Sequence, residues 1–106
     1  MLRRVIFVET HVFTRRIVSY MDDEDYGRLQ LFLARRPAAG KIIRGSGGIR
    51  KVRWAGSGHG KRGGLRVIYY WWAGKDRISM LLVYAKNEQD DLTPNQLKQL
   101  RSQLVP

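Results

Sequence analysis

The stretch LRVIYYWW-AGKD-RISMLLVYA, residues 65–85, decides the fold. Two runs rich in aliphatic and aromatic residues, Leu65 to Trp72 and Arg77 to Ala85, flank a short turn at Ala73 to Asp76, which is the pattern of paired β-strands. The second run is apolar on both faces apart from Ser79, so it is expected in the interior of a sheet, with the helices packed on one side. Upstream, Ile49 to Trp54 alternates, placing Arg50, Val52 and Trp54 on one face and Ile49, Lys51 and Arg53 on the other. A Gly-rich turn, Gly45 to Gly48, precedes this strand, and a Gly-rich basic loop, Ala55 to Gly64, follows it. These runs predict an antiparallel meander.

Outside the meander the spacing becomes helical. A short strand, Val5 to Val8, leads into a helix near Thr10 that sets Phe13, Ile17, Tyr20 and Met21 on one face. The acidic cluster Asp22 to Asp25 suits the start of a second helix, where carboxylates meet the positive end of the helix dipole. That helix carries Tyr26, Leu29, Phe32 and Leu33 inward and should stop near Arg36, because Pro37 disfavours helix for the residue before it. Downstream, Thr93-Pro94-Asn95-Gln96 combines an N-cap, a proline at the first helical position and a glutamine three residues after the cap. Leu97, Leu100 and Leu104 then form an apolar stripe. The whole is an α+β fold, an antiparallel β-sheet meander with two N-terminal helices and one C-terminal helix, in a single domain over residues 1–106.

Of the 106 residues 43% are hydrophobic, ordinary for a folded domain, yet the formal net charge is +11. The excess is localised: residues 38–77 carry 10 basic and 1 acidic side chains, whereas residues 78–106 carry 3 of each. Such a concentration implies an anionic partner, with nucleic acid the first choice. There are no cysteines, which removes disulfides, thiolate nucleophiles and Cys-ligated zinc. The apolar stretch after Arg3 and Arg4 is too short for a signal peptide and no run approaches a membrane span, so a cytoplasmic protein without a membrane partner is expected.

Gly58-His59-Gly60-Lys61-Arg62-Gly63 fits the glycine pattern of a dinucleotide-binding turn, but a strand follows where a helix is needed, and Val83 occupies the position of the ribose-binding acid. A flexible loop bearing Lys61 and Arg62 suits nucleic-acid backbone contact. His11 and His59 lie in separate regions, and no carboxylate and histidine cluster has ligand spacing, so neither a metal nor another cofactor is expected.

The segments Gly48-Ile49-Arg50-Lys51-Val52-Arg53, Gly60 to Tyr70 and Tyr84-Ala85-Lys86-Asn87-Glu88-Gln89-Asp90-Asp91-Leu92 resemble the RelE/HigB toxin family, in particular its HigB-like branch, and the similarity extends over nearly the whole chain. The resemblance implies an mRNA interferase of a type II toxin-antitoxin system: a ribosome-dependent endoribonuclease that cuts mRNA in the A site by 2′-hydroxyl attack, inhibits translation and is neutralised by a cognate HigA-like antitoxin carrying a helix-turn-helix. It places the family's basic pair on Lys51 and Arg53 and its phosphate-binding arginine on Arg66. Lys86 is then expected to meet transition-state charge. Because Asn87 follows Lys86 and no tyrosine occurs beyond Tyr84, Glu88 is taken as the proton acceptor, on the Lys86 face if the strand continues extended. Arg44, Arg50, Lys61 and Arg62 are expected on ribosomal RNA phosphates. A non-catalytic RNA- or ribosome-binding module would use the same basic face.

Overall fold

The computed structural model describes residues 4–55 and 64–104. In chain order the elements are β1 (Ile6–Glu9), α1 (His11–Ile17), α2 (Asp23–Arg35), β2 (Lys41–Ile42), β3 (Arg50–Trp54), β4 (Leu65–Trp72), β5 (Arg77–Ala85) and α3 (Pro94–Ser102). The strands form one sheet in the order β1-β5-β4-β3-β2. Strands β2 to β5 pair antiparallel, as the expected meander requires. The sheet is nevertheless mixed, because β1 lies parallel to β5, with Phe7 opposite Ile78. A chain that leaves β1 through two helices and three strands can return beside it in either direction, and four residues of strand carry no pattern that distinguishes the two.

The helices occupy both faces of the sheet, which corrects the expectation of one. On one face Phe13, Ile17, Leu29 and Leu33 of α1 and α2 pack with Val52, Leu65, Val67, Tyr69, Ile78, Met80 and Val83. On the other, Leu100 of α3 packs with Ile49, Ile68, Leu81 and Tyr84. The physical reason is already present in β5, whose two apolar faces each require cover. A register shift between Ile68 and Tyr69 adds one residue to β5, Leu81. This bulge leaves Leu81 and Leu82 both on the α3 side, so that face gains an apolar anchor without disturbing the alternation at either end.

Local chemistry fixes the ends of the elements. The Thr10 side chain caps α1 by accepting from the Phe13 N–H at 3.0 Å, and Asp22 caps α2 through the Asp25 N–H at 2.7 Å. Thr93 and Gln96 form the expected capping box of α3. Between β2 and β3 the chain reverses through Gly45, Gly47 and Gly48, all at positive φ, a conformation that costs glycine little. The buried Ser46 hydroxyl closes this turn, donating to Ile43 O at 2.6 Å and accepting from the Ile49 N–H at 3.0 Å. Tyr69, fully buried, donates to Pro37 O at 2.7 Å and accepts from the Gly40 N–H at 2.9 Å, so it ties the α2–β2 connection to the sheet. Among the described residues no helix is long and apolar enough to cross a membrane.

Candidate active site

The ladder sets the cations. Arg53 stands directly opposite Arg66, and Arg66 opposite Tyr84, so Arg53, Arg66 and Tyr84 form a row across β3, β4 and β5. Lys51, two residues before Arg53, is on the same face opposite Ile68. The intervening Val52 and Val67 turn to the α1 and α2 side, as a period of two requires. Directly opposed strand residues are only about 5 Å apart, and like charges so placed repel. An anion held between the two would offset that repulsion.

The members of the row differ in exposure. Arg66 is only 5% exposed, whereas Arg53 is exposed. Lys51 Nζ pairs with Asp91 Oδ1 at 3.1 Å, a carboxylate from the segment between β5 and α3. A cleft of ≈ 550 Å³ borders the row, lined by Ala39, Lys41, Lys51, Val52 and Arg53. Lys86 is exposed and follows β5 directly. Its backbone N–H donates to Gly64 O at 3.3 Å, which keeps it at the end of the ladder beside β4.

Glu88 is placed differently. Residues 86–88 form a turn instead of continuing β5, with the Glu88 N–H donating to Ala85 O at 2.9 Å, so alternation no longer governs its direction. The carboxylate accepts from the Ala85 N–H at 2.7 Å, from the Tyr20 hydroxyl and from Arg16 Nη2 at 3.1 Å. Arg16 Nε in turn donates to Val83 O at 2.8 Å. Glu88 thus closes the end of β5 against α1, and its partners are Arg16 and Tyr20, not the Arg66 row. The Ala85 N–H, the Tyr20 hydroxyl and Arg16 hold its pKa below the ordinary 4.5. Burial and the bond to Glu88 push Tyr20 up to about 12.

A lowered carboxylate pKa has a definite sign in stability. The cluster contributes fully above the unfolded value, near pH 4.5, and the contribution is lost as pH falls through the lower folded value. Glu88→Gln should therefore be less stable than the parent at neutral pH, with the difference shrinking as the pH drops below about 4.5. Urea unfolding from neutral pH down to about pH 3 measures this; a difference that stays constant over that range would show that Glu88 does not titrate against Arg16 and Tyr20.

Among the residues expected on RNA, Arg44 is exposed and, with Lys98 and Arg101, lines a groove of ≈ 570 Å³ against α3. Arg50 is engaged within the fold: its Nη1 donates to Gly40 O at 2.8 Å and Ala38 O at 3.2 Å, and its guanidinium lies 6.0 Å from the Trp71 ring. It braces the α2–β2 connection on the opposite face from Lys51. Lys61 and Arg62 lie outside the described residues. Of the β4 aromatics, Tyr69 belongs to the core and Trp71 packs against it. Tyr70 and Trp72 meet edge to face at 4.9 Å on the α3 side, and Arg77 covers Trp72 at 4.6 Å.

Comparison with known proteins gives two findings. A family model described as the RelE toxin of the RelE/RelB toxin-antitoxin system matches residues 12–104. The fold is similar to that of a double mutant of the Escherichia coli toxin RelE in the free state, with a TM-score of 0.57 and 12% sequence identity over 83% of this chain and 90% of that one.

Proposed function

The chain belongs to the RelE toxin family of toxin-antitoxin systems, and from that premise we propose that it is a ribosome-dependent endoribonuclease that cuts mRNA in the A site and so inhibits translation. The observation that carries this reading is the cationic row: Lys51, Arg53 and Arg66 share one face of the sheet across two paired strands, with Lys86 at its end. The proposed chemistry needs little else. The RNA supplies its own nucleophile, the 2′-hydroxyl, whose oxygen bonds to the adjacent phosphorus while the bond to the 5′-oxygen breaks. One proton leaves the 2′-oxygen and one reaches the departing 5′-oxygen, giving a 2′,3′-cyclic phosphate and a 5′-hydroxyl. The protein's share is to orient the phosphodiester and stabilise the charge that grows on its non-bridging oxygens. Arg66 and Arg53 hold the phosphate, Lys51 and Lys86 face the developing charge, and Arg44 with the loop cations Lys61 and Arg62 meets ribosomal RNA.

A toxin of this charge requires masking in its own cell. The antitoxin that the family entails is proposed to be HigA-like, to cover the cationic row or keep the toxin off the ribosome, and to act in the cytoplasm. Mapping mRNA ends in a purified translation reaction tests the activity. Cyclic-phosphate and 5′-hydroxyl ends that arise with ribosomes and not without them are expected. Ribosome binding that leaves the mRNA intact would instead identify a binding module built on the same basic face.

A further inference from the structure

Tyr84 is 1% exposed, and among the described residues its buried hydroxyl has no hydrogen-bond partner. A hydroxyl in that state costs stability on the scale of a lost hydrogen bond. Phenylalanine would fill the same space against Ile68, Leu81 and Leu100 without the cost, so packing does not account for the oxygen. Its place in the ladder offers an account: Tyr84 stands directly opposite Arg66, at the end of the row that begins with Arg53.

The charges around the hydroxyl fit the same account. Burial raises its pKa, with Asp91 and Asp90 adding to the rise and Arg66 opposing it, so the group keeps its proton at neutral pH and can only donate to an oxyanion. Asp91 is also the carboxylate that Lys51 holds at 3.1 Å. One oxyanion, with its side chain 81% exposed, therefore already rests on the cationic face.

We propose that the Tyr84 hydroxyl is a donor of the phosphate site, and that the Asp91 carboxylate occupies Lys51 until an RNA phosphodiester replaces it. This deepens the endoribonuclease reading and rests on it. In the exchange Lys51 trades one oxyanion for another, and Asp91 moves into water at small expense, as exposed ion pairs do. The Tyr84 O–H then donates to a non-bridging phosphate oxygen and keeps its proton throughout; the 2′-hydroxyl proton leaves by another route. Hydrogen bonds to an oxyanion strengthen as charge accumulates, so the hydroxyl favours the transition state over the bound substrate.

Two variants test the proposal in a purified translation reaction. Tyr84→Phe should lower kcat by about tenfold to a hundredfold with little change in KM, while its Tm rises by a few degrees because a buried unpaired hydroxyl has gone. Asp91→Asn should lower KM several-fold by releasing Lys51. A Tyr84→Phe protein that cuts at the parent rate, or one that melts lower, overturns the role of the hydroxyl. An unchanged or raised KM in Asp91→Asn overturns the displacement. Titration with a short 2′-O-methyl RNA, which cannot be cut, separates this proposal from the activity itself. Even if the parent cuts no mRNA, binding that tightens in Asp91→Asn and changes little in Tyr84→Phe supports the site, and binding unaltered in Asp91→Asn overturns the displacement.

Discussion

Arg66→Ala should reduce mRNA cleavage by on the order of a hundredfold to a thousandfold, the usual loss when one preorganised donor to a developing oxyanion is removed. Arg66 sits in the middle of the row, between Arg53 and Tyr84, and its 5% exposure means that the surrounding side chains fix its direction. A guanidinium held in that way spends little entropy on meeting a phosphate, and it presents a planar fork that an ammonium cannot. Arg66→Lys should consequently recover only a small part of the activity. Ribosome association, which the proposed function spreads over many cations, should fall modestly in both variants. Because Arg66 is buried, each variant must be compared per folded molecule, with unfolding measured on the same preparation. Cleavage at the parent rate by Arg66→Ala would remove the phosphate from the centre of the row.

The sequence makes the framework of that row readable and hides what surrounds it. A period of two puts Lys51 and Arg53 on one face without any structure, and the same rule turns Arg50 to the face of Val52 and Trp54. Applied consistently, it separates Arg50 from the phosphate site, and the bonds from Arg50 to the carbonyls of Ala38 and Gly40 agree with it. The rule ends where the strand does. Glu88 lies three residues past Ala85 in a turn, and its partners Arg16 and Tyr20 come from α1 and the turn after it, 72 and 68 residues away, a distance over which no local pattern reports. Tyr84 is hidden for another reason: an aromatic residue in an apolar strand reads as core, and its ring is core, while only the oxygen bears on the site. The expectation of helices on one side of the sheet misses what β5 already carries, since a strand apolar on both faces requires a layer on each. The direction of β1 has no such signal, because side chains alternate in the same way in parallel and antiparallel strands.

The largest stability effect is expected on the face away from the row. Helix α1 has seven residues, well below the roughly 12–15 at which isolated helices become even marginal in water, so tertiary contacts hold it. Phe13 supplies the main one: it is fully buried, joins the cluster that links α1, α2 and the sheet, and meets the Tyr26 ring at 5.8 Å. Seating α1 also completes the outer edge of β5 beyond its pairing with β1. The Thr10 hydroxyl donates to Leu81 O and Arg16 Nε to Val83 O, both at 2.8 Å. Phe13→Ala should therefore cost about 3–5 kcal/mol, a large share of the roughly 5–15 kcal/mol that stabilises a domain. Val18→Ala, at the exposed end of the same helix, should stay within about 0.5 kcal/mol of the parent. Urea midpoints measure both, and the Thr10 and Thr14 amides, which donate to Met80 O and Thr10 O, should gain hydrogen exchange in Phe13→Ala alone. Below its melting temperature Phe13→Ala should still cleave mRNA, because Lys51, Arg53 and Arg66 lie on the opposite face of the sheet. A loss under about 1 kcal/mol would mean that α1 is held by its hydrogen bonds to β5 and not by its buried face.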